Sequence, residues 1–365
     1  MTDIFKKRGH GGDLRASSLK FDIEKKDIID FSSNINPLGL PEKTRDIFIE
    51  SFGDIDKYPD PYSTELRYEI ARYLSISPDS IICGNGSDEL FFNLFKAIKP
   101  KKTLIVSPTY SEYETALGTT CDDISYYFLK EEKGFVLDIQ DLKENIDTKT
   151  DMIIICNPNN PTGKIIQKKD LVDLVSLCEK EKILLVIDEA FMDFLGKDLS
   201  IVDIAGSSDI LIVFRSMTKI FSIPGLRLGY VISNSKVLKQ IARHQQTWPV
   251  NSIAQSLGVY LLKQNDFLLK TKQYVSRQKD ILYDELKNTG FLKVYRPSVN
   301  FILARIKDKY FTVGDLAVQA AKRSNILIRD CSNFRGLDEY YFRIAVKSIK
   351  DNKRLVRCLG KIRFK

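Results

Sequence analysis

Five short runs of apolar, largely β-branched residues constrain the fold of this chain more than any other feature. They cover residues 103–107, 152–156, 183–188, 210–214 and 228–232. Runs of this length and composition predict buried strands. A segment with apolar residues at helical spacing separates the second run from the third, which predicts a strand–helix–strand unit. The repetition of such units predicts an α/β fold with an open sheet of mostly parallel strands.

The last third of the chain has a different pattern. A long helical pattern covers roughly residues 266–288, and strand patterns follow it around a further helical segment. This predicts a second, smaller α+β domain. The first part of the chain is rich in glycine, asparagine and proline, and we expect an arm there. The predicted domains are an arm at 1–40 that joins the small domain and the substrate pocket, a large ligand-binding domain at 41–245 and a small domain at 246–365, with a ligand in the cleft between them.

The composition is that of a globular protein without a membrane segment. Hydrophobic residues make up 43% of the 365 residues and charged residues 28%, and both values are ordinary. No apolar run approaches the roughly 18 residues that span a bilayer, and the N-terminus has no apolar signal-peptide core. We therefore expect a cytoplasmic protein with no membrane partner.

The formal net charge is +8, and eight cations lie in residues 347–365. We interpret this tail as a solvated helix face and expect no nucleic-acid partner, because no nucleic-acid-binding fold accompanies it. The excess positive charge suits a small anionic substrate. The six cysteines lack paired spacing, which predicts reduced and mostly buried thiols. The two histidines, His10 and His244, are too few for a histidine-rich metal site.

The segment GNGSDE (84–89) precedes a predicted helix at 87–98. Its glycines allow a ligand to approach the backbone, and the helix N-terminus, with Ser87 as capping residue, offers donors to a phosphate. A glycine turn with an ordinary helix cap has the same signature. A dinucleotide-binding motif is excluded because Glu89 occupies the position of its third glycine.

Polar residues directly follow the second run and end the third. Asn157 begins NPNNPTG (157–163), and Asp188 begins DEAF (188–191). Asn157 is placed to form a hydrogen bond with a ligand, and a plain proline-rich loop is the alternative. Burial of an unpaired carboxylate is costly, so Asp188 needs a partner, which is a protonated ring nitrogen, a metal ion or a helix end.

The segment RSMTKIFSIPGLRLGY (215–230) follows the fourth run and contains Ser216, Lys219 and Arg227. A lysine desolvated near other cations has a lowered pKa and forms an imine with an aldehyde. A solvated loop lysine is the alternative. We expect these segments to converge, because ligands bind at the carboxyl ends of the strands in an α/β sheet.

A phosphate site, an aspartate for a ring nitrogen and an imine-forming lysine together match pyridoxal 5′-phosphate (PLP). The order of the segments resembles the PLP-dependent transferase fold type I, which is aspartate aminotransferase-like, and particularly its histidinol-phosphate aminotransferase branch. The resemblance covers nearly the whole chain. It implies that Lys219 is the catalytic residue, that Asp188 keeps the pyridine nitrogen protonated, and that Asn157 holds the phenolic oxygen. The implied cofactor-binding residues are Gly86, Ser87, Asp88, Tyr110, Asn157, Asp188, Ser216, Lys219 and Arg227, with Tyr58 reaching the neighbouring subunit of a homodimer.

Four further segments resemble the threonine-phosphate decarboxylases of cobalamin biosynthesis. They are HGGD (10–13), DFSSNINPLGLP (30–41), ILIRDCSNFRGL (326–337) and FRIAVK (342–347). Phe191 adds to this, because aminotransferases commonly have a tyrosine there. The resemblance implies that Arg329 helps to hold the substrate phosphate and that Arg343 contacts the substrate carboxylate. The implied substrate-binding residues are His10, Gly11, Asn34, Asn157, Arg329 and Arg343.

Two of these positions have other interpretations, and a third position, Asp13, departs from the family pattern. A histidine in an arm is often solvated or caps a helix, and Arg343 on a strand is able to pair with an acid. Asp13 stands where the decarboxylases typically have asparagine, and its negative charge is unfavourable beside a phosphate.

The predicted reaction is the decarboxylation of L-threonine O-3-phosphate to (R)-1-aminopropan-2-yl phosphate and CO2. L-serine O-phosphate, giving ethanolamine phosphate, is an alternative substrate, because one methyl group discriminates by only ~1–3 kcal/mol. Another alternative is an aminotransferase for histidinol phosphate or an aromatic amino acid. A non-enzymatic regulator with this fold would carry a DNA-binding domain, and we expect no room for one before the arm.

Overall fold

The computed structural model describes residues 9–362, which form three sheets covered by helices. The strands are β1 (Ile29–Asp30), β2 (Ile81–Asn85), β3 (Lys102–Ser107), β4 (Asp123–Phe128), β5 (Met152–Cys156), β6 (Leu184–Asp188), β7 (Leu211–Ser216), β8 (Leu228–Ile232), β9 (Leu292–Val294), β10 (Phe301–Ile306), β11 (Ile326–Leu327), β12 (Arg329–Asp330) and β13 (Tyr341–Ala345). The helices are α1 (Leu14–Phe21), α2 (Thr44–Ser51), α3 (Thr64–Leu74), α4 (Ser87–Ile98), α5 (Glu112–Leu117), α6 (Ile139–Glu144), α7 (Lys168–Glu181), α8 (Val202–Ala205), α9 (Met217–Ile220), α10 (Ser235–Ala242), α11 (Ser252–Leu262), α12 (Asn265–Lys287), α13 (Val313–Ser324) and α14 (Ile349–Leu359).

The main sheet has seven strands in the order β2-β8-β7-β6-β5-β3-β4. The five predicted strands are β3, β5, β6, β7 and β8, each within two residues of its predicted bounds. Strands β3 to β7 pair in parallel, whereas β8 is antiparallel to both of its neighbours. The predicted α/β fold with a mostly parallel sheet is therefore confirmed.

The register of the central strands aligns their carboxyl ends. Asp188 at the end of β6 pairs with Cys156 at the end of β5 and with Phe214 in β7. Side chains alternate between the two faces of a strand, so Ile187 packs in the core on one face while Val186 packs in the core on the other. The loops that follow β5, β6 and β7 consequently start from one edge of the sheet.

A second, four-stranded sheet has the order β12-β13-β10-β9. Its core contains Ile302 of β10, Leu316 of α13 and Leu355 of α14. The long helix α12 links this core to the main one, because Val275 packs in the main core and Leu282 in the second. The predicted domain boundaries near residues 40 and 245 stay predictions.

We call the region around the four-stranded sheet, together with the N-terminal segment, the small lobe. Two parts of it differ from the sequence-based expectation. The strand predicted at 326–330 is divided at Ile328, because β11 pairs in parallel with β1 whereas β12 pairs with β13. The expected arm contains helix α1, and the exposed Asp13 caps it by accepting a hydrogen bond of 2.8 Å from the Ala16 amide. Asparagine caps helices equally well, so capping explains either residue at position 13.

All six cysteines are buried and free of disulfide bonds, as the sequence predicted. Within residues 9–362, no helix combines the length and the apolar character that a bilayer crossing requires.

A buried ion network lies on the side of the main sheet opposite to Asp188. The Arg215 side chain is 2% exposed and donates to Glu189 at 2.8 Å and to Asp193 at 2.6 Å. Ser200 also donates to Glu189 at 2.5 Å, and Tyr73 of α3 donates to Asp193 at 3.0 Å. The network therefore joins β7, the segment after β6 and helix α3.

Replacement of Arg215 tests how much stability this network provides. We expect Arg215→Ala to lower the free energy of unfolding by about 3–5 kcal/mol, because it leaves two buried carboxylates without their cation. Urea denaturation of the protein measures this. Arg72→Ala is the matched control, since it removes the exposed Arg72–Glu69 pair, and such pairs contribute about 0–1 kcal/mol. Equal losses in the two variants would contradict the prediction.

Candidate active site

A cavity of about 350 Å³ lies between the carboxyl edge of the main sheet and the four-stranded sheet. Its size is typical of a site for a small ligand. Both lobes and the N-terminal segment contribute to its walls. The predicted site residues that line it are His10, Gly11, Asn34, Ser87, Asp88, Tyr110, Asp188, Lys219, Arg329 and Arg343.

Lys219 lies in the short helix α9, directly after β7. Its Nζ is 3.4 Å from the Ser216 Oγ and 5.9 Å from the centre of the Phe191 ring. Burial lowers the pKa of the Lys219 amine, which favours the neutral, nucleophilic form. The alternative of a solvated loop lysine is therefore wrong.

Asp188 is buried at the end of β6, and its carboxylate has two protein donors. The Ala190 amide donates to Oδ1 at 2.9 Å, and the Tyr113 hydroxyl donates to Oδ2. Burial raises the pKa of Asp188. Tyr113 was not among the predicted site residues, although it lies three residues after Tyr110 in the same SPTYSEY segment.

Gly86 allows Arg227 to approach the N-terminus of α4 closely. It is the N-cap of α4 with a φ of +80°, and a Cβ atom there would lie 2.5 Å from the Arg227 guanidinium. Arg227 in turn lies 3.3 Å from Asp88. Ser87 is the first helical residue and forms no capping hydrogen bond, so its predicted role as the helix cap is wrong. It lines the cavity instead.

Asn160 lines the cavity, whereas the predicted residue Asn157 does not. The Asn157 side chain is fully buried, accepts a hydrogen bond of 2.8 Å from the Ile166 amide and does not line the cavity. Asn160 lines the cavity, and its Oδ1 accepts from the Arg343 guanidinium. The motif NPNNPTG contains three asparagines, and the turns between its prolines decide which of them faces the ligand.

Arg329 and Arg343 are cross-strand partners on β12 and β13, and both are buried. Within residues 9–362, neither forms a salt bridge with a carboxylate. Arg343 donates to the Ser32 carbonyl at 2.8 Å and its Nε has no partner, while Arg329 donates to the Asn333 Oδ1 at 2.7 Å. Burial lowers the pKa of Arg343 to about 10. Buried cations held only by neutral acceptors favour an anionic ligand, and the alternative that Arg343 pairs with an acid is wrong.

The N-terminal segment closes one side of the cavity. A Cβ atom at Gly11 would lie 2.3 Å from the Ser32 carbonyl oxygen, so glycine is needed for this close approach. His10 Nε2 lies 2.7 Å from Glu112 Oε1, which ties the segment to helix α5. Both polar atoms of the buried Asn34 side chain lack a protein partner, so they are available to a ligand.

Tyr58, a predicted cofactor-binding residue, lies on the surface of the protein. It is 78% exposed, stacks on Trp248 with ring centres 4.2 Å apart and does not line the cavity. The Ser216 Oγ lies 3.4 Å from the Lys219 Nζ and 2.8 Å from the Thr218 hydroxyl.

Comparisons with known proteins place this geometry in context. The family described as "Aminotransferase class I and II" matches residues 26–359. A threonine-phosphate decarboxylase of Salmonella typhimurium is 32% identical over 97% of this chain and 96% of its own length. The adenosylcobalamin biosynthesis bifunctional protein CobDQ of Leptospira interrogans is 34% identical over 97% of this chain, which spans only 41% of that longer protein. The crystal structure of the histidinol-phosphate aminotransferase from Clostridium acetobutylicum has a TM-score of 0.84 and 32% identity, and it covers 91% of this chain and 98% of its own.

Replacement of Lys219 tests its role in cofactor attachment. We expect Lys219→Ala to abolish the absorbance band of PLP bound covalently to the protein, because the amine that forms the bond is absent. Absorbance spectra recorded after addition of PLP measure this. Lys164→Ala is the control, since burial also lowers the pKa of Lys164 but its Nζ donates to the Arg296 carbonyl outside the cavity. A band of equal size in Lys219→Ala and the unmodified protein would contradict the assignment.

Proposed function

This chain belongs to the aminotransferase class I and II family and is a PLP-dependent enzyme, and we propose that it decarboxylates L-threonine O-3-phosphate. The products are (R)-1-aminopropan-2-yl phosphate and CO2, in cobalamin biosynthesis. The observation that carries the proposal is the pair of buried arginines, Arg329 and Arg343, at one wall of a small cavity, for which residues 9–362 supply no carboxylate partner. They suit a substrate that carries both a phosphate and a carboxylate.

The residues around the cavity fit PLP, which supplies an aldehyde and a ring that accepts electrons from a breaking bond at the substrate α-carbon. Lys219 would attach the cofactor, and Asp188 would pair with its ring nitrogen. Tyr110 would contact the ring, and Asn160, in place of Asn157, would bind the phenolic oxygen. The N-terminus of α4 would hold the cofactor phosphate together with Gly86, Ser87, Ser216 and Arg227.

Two anion anchors on one sheet select the bond that breaks. Fixing the substrate at two points fixes its rotation and therefore which bond at the α-carbon is oriented to break. Arg329 would bind the phosphate and Arg343 the carboxylate, with His10, Gly11 and Asn34 completing the pocket. Loss of CO2 frees the electron pair of the broken bond, which the cofactor ring would take up, and Lys219 in its protonated form would donate the proton that replaces the carboxylate at the α-carbon.

The exposed surface near Tyr58 supports a homodimer. Helix α2 and the turn after it expose Phe48, Ile49, Phe52 and Ile55, and Tyr58 follows this apolar stretch. A second copy of the chain covers this surface in the proposed dimer and brings Tyr58 to the cofactor phosphate of its partner. The mass of the protein in solution tests that assembly, and the cytoplasmic location stays a prediction.

A product assay tests the reaction directly. We expect the PLP-loaded protein to release CO2 and a phosphorylated amino alcohol from O-phospho-L-threonine when no 2-oxo acid is present. O-phospho-L-serine, which lacks the methyl group, should react at least about 10-fold less efficiently. If neither compound releases CO2, and histidinol phosphate with 2-oxoglutarate yields glutamate instead, the protein is an aminotransferase and the proposal is wrong.

Replacement of Arg329 tests the phosphate anchor. We expect Arg329→Ala to raise the KM for O-phospho-L-threonine on the order of 100-fold, because a buried charge contact is lost, and to leave PLP affinity nearly unchanged. Steady-state kinetics and a PLP titration measure the two effects. Arg305→Ala, on β10 of the same sheet, is the control, since Arg305 lies near Glu131 and Asp338 outside the cavity. Equal losses of substrate and PLP affinity would show that Arg329 serves a different anion.

A further inference from the structure

Tyr113 is a fully buried residue whose hydroxyl group reaches the candidate cofactor site. It lies in the first turn of α5, and its hydroxyl donates to the Asp188 carboxylate. Its ring is packed edge-on against Phe91, with ring centres 5.0 Å apart, and against Tyr110, with ring centres 5.5 Å apart. Tyr113 therefore contacts both the residue proposed to meet the cofactor ring nitrogen and the residue proposed to stack on the ring.

Each of the two carboxylate oxygens of Asp188 accepts a hydrogen bond from a different protein donor. The Ala190 amide donates to Oδ1 and Tyr113 to Oδ2, so the carboxylate cannot rotate without breaking both bonds. Each carboxylate oxygen accepts more than one hydrogen bond, which leaves capacity for a donor in the cavity. The neighbouring Cys156 supplies no competing charge, because burial raises the pKa of its thiol to about 12.

The tyrosine is suited to keep Asp188 charged. Burial, reinforced by the Asp188 charge, holds the pKa of Tyr113 well above its ordinary value, so the phenol remains a donor. A donor to a carboxylate stabilises the anionic form and opposes the effect of burial. An anionic Asp188 in turn favours a protonated ring nitrogen, which makes the ring a better acceptor of electrons.

We propose that Tyr113 is a positioning residue whose hydroxyl holds the charged Asp188 carboxylate in the orientation that meets the ring nitrogen of PLP. The inference rests on the proposed role of Asp188. It goes beyond that role because it assigns the charge and the orientation of Asp188 to a residue that does not itself line the cavity.

Tyr113→Phe removes the hydroxyl and keeps the ring that packs against Phe91 and Tyr110. Tyr73→Phe is a closely matched control. Tyr73 is also a buried tyrosine that donates to a buried aspartate, Asp193, at 3.0 Å, and it lies on the far side of the sheet. Both variants lose one hydrogen bond to a buried carboxylate, so a purely structural role predicts the same behaviour for both.

The first experiment measures PLP affinity and steady-state kinetics in the two variants. We expect Tyr113→Phe to weaken PLP binding to the apo protein and to lower kcat, each by roughly 10- to 100-fold, the effect of one hydrogen bond to a charged group. The KM for O-phospho-L-threonine should stay within about twofold, since Arg329 and Arg343 are untouched. Tyr73→Phe should leave all three quantities unchanged, because the ion pairs of Arg215 with Glu189 and Asp193 do not involve the Tyr73 hydroxyl. Equal effects in the two variants, or a change confined to KM, would overturn the proposal.

A double-mutant cycle tests whether Tyr113 acts through Asp188. In the Asp188→Asn background, Tyr113→Phe should change PLP affinity less than threefold, because the carboxylate that Tyr113 holds is absent. Additive losses would overturn the proposal. PLP affinity is measured without any substrate, so the cycle remains decisive even if the protein proves not to be a decarboxylase.

Discussion

The ion network around Arg215 fixes the part of the main sheet on which the candidate site depends. Glu189 directly follows Asp188, and Arg215 directly precedes Ser216. Side chains alternate across a strand, so the bond between Arg215 and Glu189 on one face directs Asp188 and Ser216 to the other. A buried cation between two carboxylates is costly to break. The same interaction therefore stabilises the fold and sets the relative positions of the groups that face the cavity.

The small lobe contributes two positive charges that no carboxylate within residues 9–362 neutralises. Arg329 and Arg343 occupy neighbouring strands, and their protein partners within residues 9–362 are neutral oxygens. Removing two cations from water without a counterion is unfavourable, and the main-sheet network shows how this chain neutralises a buried arginine when stability alone is at stake. The contrast between Arg215 and the two cavity arginines is a physical reason to assign the latter to an anionic substrate.

The sequence predicted the scaffold better than the orientation of single side chains. The buried strands were recognisable from β-branched runs. Asp188 ends β6 and Lys219 follows β7 at the same edge of the main sheet, whereas Arg329 and Arg343 lie on paired strands of the four-stranded sheet. Asn157 was predicted to bond a ligand because it directly follows its strand, yet its side chain bonds the Ile166 backbone. Helix α1 was missed because it is short and follows the glycine-rich residues 9–12. Tyr113 was missed because its function arises from a contact between α5 and β6 that local sequence does not encode.

The choice of reaction depends on how the two lobes are joined, because the fold alone is compatible with both transamination and decarboxylation. Asp188 ends a strand of the main sheet and Lys219 follows one, whereas Arg329 and Arg343 belong to the small lobe. Asn36 joins these parts. Its amide donates to the Lys219 carbonyl at 3.0 Å, and its side chain donates to the Ile220 carbonyl at 2.7 Å and to Thr271 of α12 at 2.9 Å. Since α12 packs in both cores, this contact ties Lys219 to the helix that links the two lobes. A misplacement of about 1 Å is enough to slow a reaction about 100-fold, so the contacts of Asn36 bear on the relative placement of Lys219 and the two arginines.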